Sequence, residues 1–263
     1  MFSSQGPTLR ELAVQALSSI EHGYDLLAPK FDRTPFRTPD ALLDAVVHAV
    51  RPLGPFRTGL DICCGTGAGT GALRRLCEER VVGVDFSAGM LAMAASALPD
   101  APDAPDAPAA PDAPGAPGAP DPSGGPAVNW VRADARALPF APVFDLAASF
   151  GAFGHFLPAE RPALFARAHA ALRPGGLFAF PVPAPPRVGS SLYWALWGFD
   201  TAMRLRNLLR RPSFVMYYRT FRLPDVLDEL ARAGFTTGLL PLTDLGERPE
   251  GGPRCALVVA RRA

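Results

Sequence analysis

The chain of 263 residues has a mass of 27.8 kDa, which suffices for one large domain or two small ones around a substantial core. Its 26 basic and 25 acidic side chains leave a formal net charge of +1, so no overall field attracts nucleic acid, an anionic membrane or an acidic partner. We therefore expect a local site to provide recognition.

The four cysteines form no C-x-x-C pair and have no histidine at ligand spacing: Cys63, Cys64, Cys77 and Cys255. This pattern predicts neither a metal site nor a disulfide framework, and it favours a reducing, cytoplasmic location. The amino terminus lacks a secretory signal pattern, and no stretch reaches the ~18 apolar residues of a spanning helix. We expect a soluble, unprocessed protein without an integral membrane segment.

The first 50 residues predict two helices, over about 11–20 and 39–50, which would form a lid on the sheet or its site. From position 51 onward, short β-branched or aromatic runs alternate with helical patterns, an arrangement typical of βαβ units and a parallel sheet. Strands are predicted over 58–63, 81–86, 127–133, 144–150 and 177–182, with helices over 69–80, 88–98 and 158–172.

The last part of the chain predicts a helix near 223–233, followed by strands over 236–242 and 255–261 that form an antiparallel hairpin at the sheet edge. The expected fold is α/β, with a Rossmann-like, doubly wound, seven-stranded sheet that is mostly parallel and has helices on both faces. Residues 51–263 would make up this main domain.

One segment differs from the rest of the chain. Residues 100–126 repeat Asp, Ala, Pro and Gly without a large apolar side chain. Because such a composition cannot build a core and favours extended polyproline II or disorder, we interpret it as a solvated surface insertion.

A glycine-rich turn is the most informative local motif. In GLDICCGTGAGTG, over 59–71, an apolar strand ends in glycines and a helix opens directly afterwards. Gly65, Gly67 and Gly69 allow a tight turn and close approach of a ligand, while the helix start presents free N–H groups. The motif predicts a nucleotide-like ligand; the alternative is a strand-to-helix turn without one.

The second predicted strand ends at Asp85, 20 positions after Gly65. This is the distance at which a Rossmann carboxylate reaches ribose hydroxyls. The alternative role is that of a helix N-cap, which Ser87 is equally able to fill.

These segments, together with RADARALPF, FDLAASFGAFGHF and ALRPGGLFAF in this order, resemble the class I S-adenosylmethionine-dependent methyltransferases over about residues 55–182. The resemblance implies S-adenosylmethionine as cofactor. It implies that Asp61 lies near the methionine part, Asp85 holds the ribose, Asp134 contacts the adenine amino group and Ala135 supplies a backbone contact. Further implied cofactor contacts are Gly65, Thr66, Gly67, Phe86, Met90, Ser149 and Phe150.

Two details bear on this resemblance. Asp85 and Asp134 are 49 positions apart, which leaves room for one helix and one strand once the insertion is removed. Cys63 occupies a position where the family commonly has glycine, which puts close approach of that backbone in doubt. In LRPGG, Pro174 ends a helix and the glycines turn the chain into the next strand.

Methyl transfer requires alignment of the acceptor and exclusion of water, so a general base is optional. His155, after the fourth strand, is the candidate base; a loop cap or a packed side chain is the alternative. Tyr24 lies in a segment that resembles the amino-terminal lid of several small-molecule methyltransferases; alternatively it anchors the first helix to the core.

Residues 183–222 are predicted to cap the acceptor, because they are rich in Trp, Tyr and Phe and contain an amphipathic helix with a run of arginines. The same helix fits a homodimer surface, loose membrane contact or core packing. We predict methyl transfer to an O, N or C atom of a small apolar or aromatic acceptor.

Two alternatives remain at this point. A nicotinamide-dependent oxidoreductase uses the same strand, turn and acid, although Thr70 stands where its third glycine belongs. A non-catalytic cofactor-binding or interaction protein is the other. The sequence has neither a basic stripe nor a motif for binding a flipped base, so it does not predict a nucleic-acid acceptor.

Overall fold

The computed structural model describes residues 6–98, 125–212 and 214–263. The predicted insertion at 100–126 thus lies outside the described residues, except for Gly125 and Pro126. Its solvated, extended character stays a prediction.

The strands of the described residues are β1 (Phe56–Ile62), β2 (Cys77–Asp85), β3 (Ala127–Arg132), β4 (Phe144–Ala148), β5 (Leu172–Pro183), β6 (Phe235–Pro241) and β7 (Cys255–Arg262). These seven strands form one sheet in the order β3-β2-β1-β4-β5-β7-β6. The first five pair in parallel, whereas β7 is antiparallel to both β5 and β6. The predicted fold class is confirmed, including the antiparallel hairpin.

The helices of the described residues are α1 (Leu9–Leu17), α2 (Ile20–Leu27), α3 (Asp40–Val50), α4 (Ala68–Arg74), α5 (Ala88–Ala97), α6 (Arg161–Ala171), α7 (Ser191–Leu209) and α8 (Leu223–Arg232). Short 3-10 helices cover Ala28–Arg33, Arg51–Leu53, Ala135–Ala137, Phe153–His155 and Thr243–Leu245.

Alternation along the strands divides the core between the two faces of the sheet. Val81 packs in a cluster with side chains of α3 and α4, whereas the next residue, Val82, packs in a cluster with side chains of α6 and α8. Phe178 and Ala179 divide in the same way. Because side chains of a strand point alternately to opposite faces, central strands covered by helices on both sides are apolar throughout.

Several predicted element boundaries are wrong. The strand predicted over 177–182 begins at Leu172, so Pro174 lies inside β5, and α6 ends before it at Ala171. The helix predicted over 69–80 ends at Arg74, because pairing of β2 with β1 begins already at Cys77, whose sulfur lies over the backbone of Gly59. The single helix predicted over 11–20 is two helices. The first ends at Leu17 with Ser18 as its C-cap, and Ser19 caps the second, because its side chain accepts the N–H of His22.

The strand order places a crevice at the centre of the sheet. The chain runs outward from β1 through β2 to β3, then returns to β4 on the other side of β1. In open α/β sheets ligands bind at such a reversal, beyond the carboxyl ends of the strands. Asp61 in β1, Asp85 at the end of β2 and Ser149 directly after β4 all lie at this edge.

Candidate active site

The turn between β1 and α4 has three residues in the left-handed backbone region. Cys63, Gly65 and Gly67 have φ angles of 61°, 53° and 88°. A Cβ on Gly67 would lie 3.1 Å from the Trp130 ring, whereas a Cβ on Gly65 would meet nothing within 4 Å. The backbone at Gly65 therefore faces open space of the kind that a ligand cradle needs. The glycine common at position 63 in the family matches the conformation that Cys63 adopts here.

Asp85 organises the junction between this turn and α5. One carboxylate oxygen accepts the backbone N–H of Gly65 at 2.9 Å, and the other accepts the N–H of Ser87 at 2.9 Å. Ser87 itself caps α5, since its hydroxyl accepts the N–H of Met90. Burial raises the pKa of Asp85 despite these bonds. Each oxygen still has a lone pair with which to accept a further hydrogen bond.

Asp61 is a buried carboxyl that is only half satisfied. Its Oδ2 accepts the Thr70 hydroxyl at 2.9 Å, whereas its Oδ1 is buried without a hydrogen-bond partner among the described residues. Burial raises the pKa of this carboxyl to about 7, and the nearby Asp85 adds to the effect. An unpaired buried oxygen in a crevice indicates a missing partner, and a cationic or N–H group would satisfy it.

The adenine-side residues follow β3. Asp134 caps the 3-10 helix after it by accepting the N–H of Arg136 at 2.8 Å, and the Arg136 guanidinium lowers the pKa of Asp134. Ala135 is buried, whereas the Asp134 side chain is 42% exposed. Burial raises the pKa of the Cys63 thiol well above its ordinary value, and the negative charges of Asp85, Asp61 and Asp134 raise it further.

The remaining predicted cofactor contacts surround the same turn. Phe150 packs on Gly69, where a Cβ would lie 2.5 Å from its ring, and Ser149 is buried at the end of β4. Met90 is buried in the first turn of α5, and the carbonyl of Phe86 accepts the Arg132 guanidinium. These residues are brought together, although their roles toward a cofactor remain predictions.

Tyr24 and His155 form a partly buried hydrogen-bonded pair. The Tyr24 hydroxyl lies 2.7 Å from Nε2 of His155, and Nδ1 of the same ring lies 2.7 Å from the carbonyl oxygen of Val215. Because a carbonyl only accepts, Nδ1 carries the proton, and Nε2 accepts the proton of Tyr24. Burial lowers the pKa of His155 and raises that of Tyr24, so both groups are neutral near pH 7.

Two acids of the amino-terminal segment bind the turn regions, and the sequence analysis did not identify them. Asp25 accepts the Ser87 hydroxyl at 2.6 Å and the N–H of Gly89 at 2.9 Å, at the start of α5. Asp32 accepts the Thr66 hydroxyl at 2.6 Å. The clue in the sequence was their position after Tyr24 in YDLLAPKFD, within the segment predicted to form the lid. The segment thus lies across the crevice and is held at several points.

The aromatic residues of 183–222 divide into two groups. Phe214 stacks on Tyr24 with ring centroids 6.5 Å apart, and Tyr217 is buried nearby. Trp194, Trp197 and other side chains of α7 are exposed. The outer side of α7 therefore points away from the domain, and the acceptor-capping role of 183–222 stays a prediction.

The comparisons with known proteins agree with this geometry. A family model described as a methyltransferase domain matches residues 60–180. A 2-phytyl-1,4-naphthoquinone methyltransferase of Thermosynechococcus vestitus is 28% identical over 135 residues, which are 48% of each chain. A trans-aconitate 2-methyltransferase of Azoarcus sp. is 34% identical over 134 residues, 50% of this chain and 41% of that protein. The chain thus spans about half the length, or less, of these curated relatives.

Among solved structures, a SAM-dependent methyltransferase of Methanosarcina mazei superposes with a TM-score of 0.54 at 19% identity, over 82% of this chain and 96% of that one. At this identity the likeness concerns the fold. Residues 60–180 match the methyltransferase-domain model, and the resemblance to the class I S-adenosylmethionine-dependent methyltransferases is confirmed. Within the described residues, no helix has both the length and the apolarity of a membrane span.

Proposed function

We propose that this chain transfers the methyl group of S-adenosylmethionine to a small, apolar or aromatic acceptor. The observation that carries the proposal is the half-satisfied, buried Asp61 beside the open backbone of Gly65, at the reversal point of the sheet. A dinucleotide oxidoreductase is less favoured, because the Thr70 hydroxyl is engaged with Asp61 where a dinucleotide turn needs its third glycine.

The residues present fit this cofactor. Asp85 would accept the ribose hydroxyls, Asp61 would receive the ammonium group of the methionine part, and Asp134 with Ala135 would hold the adenine. When bound, S-adenosylmethionine supplies a methyl group on a positively charged sulfur, which is already activated for displacement. The other residues assigned to this site are Gly65, Thr66, Gly67, Phe86, Met90, Ser149 and Phe150.

The segment 1–50 would act as a lid. Asp25 and Asp32 fasten it to the start of α5 and to the glycine turn. A closed lid excludes water and holds the acceptor in line with the methyl group, which is the main contribution that this displacement needs from a protein.

His155 would accept the proton that an acceptor hydroxyl or carbon acid loses. Its ring is fixed by Val215, and its low pKa keeps Nε2 unprotonated. The Tyr24 hydroxyl occupies the hydrogen-bonding position at Nε2, which is the position an acceptor hydroxyl would take. Tyr24 would therefore mark the acceptor site and close it from the lid side.

The surroundings of this pair favour an apolar or aromatic acceptor over a polyanion or a nucleic acid. Phe31, Phe214 and His155 surround the Tyr24 ring with centroid distances of 5.2 to 6.5 Å. Met203 and Tyr217 extend the same apolar cluster. Aromatic walls recognise a flat ring by stacking and by removing it from water. We also propose that the protein is cytoplasmic and that its cysteines are therefore reduced.

The test is a methyl-transfer assay that measures S-adenosylhomocysteine release with a panel of phenols, hydroxyquinones and polycarboxylates. We expect turnover with an aromatic hydroxyl compound, and loss of turnover in Asp85→Asn. Turnover with polycarboxylates alone would contradict the acceptor class. Cofactor binding without turnover on any acceptor would favour a non-catalytic protein.

A further inference from the structure

Helix α7 has an outward face that is apolar and that none of the described residues covers. Positions 194, 197, 201, 205 and 208 are three or four residues apart and therefore lie on one side of the helix. Trp194 and Trp197 are 57% and 47% exposed, and Leu205 and Leu208 are 56% and 81% exposed. Two of the three tryptophans of the chain thus lie on this surface.

The opposite face of α7 holds the helix firmly to the domain. Met203 is buried with Phe214 and Tyr217. The buried Asp200 accepts the backbone N–H groups of Tyr218 and Arg219 at 2.9 and 3.0 Å. These contacts fix the orientation of α7, so its tryptophans and leucines are held on the outward face.

The segment around this face is strongly basic. Residues 187–222 contain seven arginines and one acid, Asp200, a local charge of +6 in a chain whose net charge is +1. The remainder of the chain is therefore net acidic. A basic surface with exposed Trp and Leu side chains matches the interface of a bilayer that contains anionic lipids.

A cleft beside the outward face is suited to a phosphate. It has a volume of about 270 Å³ and is lined by Trp197, Asp200, Thr201, Arg204, Arg219 and Thr220. The Asp200 carboxylate in this lining is already engaged by the backbone N–H groups of Tyr218 and Arg219, so the two arginines supply the free donors. The guanidinium of Arg204 lies 4.6 Å from the Tyr217 ring centre, and that of Arg219 lies 4.8 Å from the Tyr193 ring centre. Stacking on these rings holds the two cations in place at the surface while their N–H groups remain able to bind an anion.

We propose that the outward face of α7 docks on a membrane surface that contains anionic lipids, with Trp194, Trp197, Leu205 and Leu208 inserted among the headgroups and a lipid phosphate between Arg204 and Arg219. The helix lies along the surface, because Asp200 and arginines on its other sides prevent insertion across the bilayer. The inference goes beyond methyl transfer and does not depend on it.

A second copy of the chain is the competing occupant. A two-fold interface through this face would bring together two segments that each carry a local charge of +6, with one acid in each to offset it. An anionic lipid surface neutralises the same charges. The charge of the segment therefore favours lipid.

The test is co-sedimentation of the full chain with vesicles of phosphatidylcholine alone and of phosphatidylcholine with about one-third phosphatidylglycerol, in low and high salt. We expect binding to the anionic vesicles that weakens in high salt. Tryptophan emission should shift to shorter wavelength on binding, because Trp194 and Trp197 leave water.

Matched variants separate the contributions. Leu205→Ser with Leu208→Ser, and separately Arg204→Gln with Arg219→Gln, should each reduce vesicle binding by about tenfold or more. Leu239→Ser is the control, since Leu239 is 46% exposed on β6 and lies outside α7. Circular dichroism and sedimentation velocity check that each variant is folded and report its oligomeric state.

Three outcomes would overturn the proposal. Equal binding to both kinds of vesicle would show that the arginines do not recognise anionic lipids. If a folded, monomeric chain does not bind vesicles, a membrane is excluded as the partner of this face. Self-association that the Leu205→Ser, Leu208→Ser variant abolishes, without vesicle binding by the parent chain, would assign the face to a second copy.

Discussion

The hydroxyl of Tyr24 lies 2.7 Å from Nε2 of His155, although 131 positions separate the two residues in the chain. This hydrogen bond joins the amino-terminal segment to the loop after β4, across the crevice that is the candidate cofactor site. Val215 fixes the other nitrogen of the ring, so that the histidine has one defined tautomer.

His155→Gln should lower kcat by about 10²–10⁴-fold if the ring accepts the proton of the acceptor. Tyr24→Phe should have a smaller effect, because it leaves the base in place. Since burial lowers the pKa of His155, activity should persist below the pH at which an ordinary histidine becomes protonated.

The control is His48→Gln, because the His48 side chain is 77% exposed on α3 and is not among the residues assigned to the site. An acid limb of the kcat profile that lies above the ordinary histidine pKa, or an unchanged kcat in His155→Gln, would remove His155 from the proposed chemistry.

If Asp61 receives the ammonium group as proposed, cofactor affinity should depend on pH. Its pKa is about 7 in the free protein, and only the carboxylate form attracts the ammonium group of S-adenosylmethionine. Between about pH 8 and pH 6 the ionised fraction falls roughly tenfold, so the dissociation constant should rise by about the same factor. Asp61→Asn should bind more weakly and lose this dependence. A dissociation constant that is flat with pH in the parent chain would contradict the assignment.

The same carboxyl should also affect stability. Its pKa is higher in the folded chain than in the unfolded one, so its contribution is fully present below about pH 4 and is lost as the pH rises to about 7. At about pH 8, Asp61→Asn should therefore unfold at higher denaturant than the parent, by a free energy on the order of 1 to 4 kcal/mol. Lower stability of the variant at this pH would show that the ionised carboxyl is satisfied.

The Cys63→Gly variant should be more stable than the Cys63→Ala variant. Its φ of 61° is a conformation in which a side chain costs about 1 kcal/mol, and glycine avoids that cost. Cys63→Gly and Cys63→Ala both remove the thiol, so urea denaturation of the pair isolates the backbone effect. We expect the glycine variant to be more stable by about 1 kcal/mol. The reverse order, which is usual at ordinary positions, would contradict the left-handed conformation.

Asp25 and Asp32 should control the closure of the lid. Asp25→Asn with Asp32→Asn weakens the bonds to Ser87, Gly89 and Thr66, so trypsin should cleave faster at Lys30 and Arg33 than in the parent. S-adenosylmethionine should slow cleavage of the parent. Asp244→Asn, at an exposed site on the surface, serves as control. Equal cleavage rates in all three chains would show that these acids do not fasten the segment.

Much of the site was predictable because it is local. The strand, the glycine turn and the helix that follow one another around Gly65 are continuous in sequence, and Asp85 ends the neighbouring strand. Their backbone geometry depends on residue types that the sequence displays directly. The sheet was predictable for the same reason, since buried parallel strands are continuous apolar runs.

The rest depends on contacts between distant segments. Asp32 reaches Thr66 across 34 positions and Asp25 reaches Ser87 across 62, and no local pattern indicates which donor an acid meets. The two faces of α7 are both apolar, so periodicity alone does not tell which of them packs on Asp200 and its neighbours and which faces outward. The tertiary structure makes that choice.

The most direct test of the central claim is isothermal titration of the purified chain at about pH 8 with S-adenosylmethionine and S-adenosylhomocysteine, with NADH as control. We expect binding of the first two in the micromolar range, strong weakening of both by Asp85→Asn, and no binding of NADH. Binding of NADH alone, or of none of the three, would contradict it.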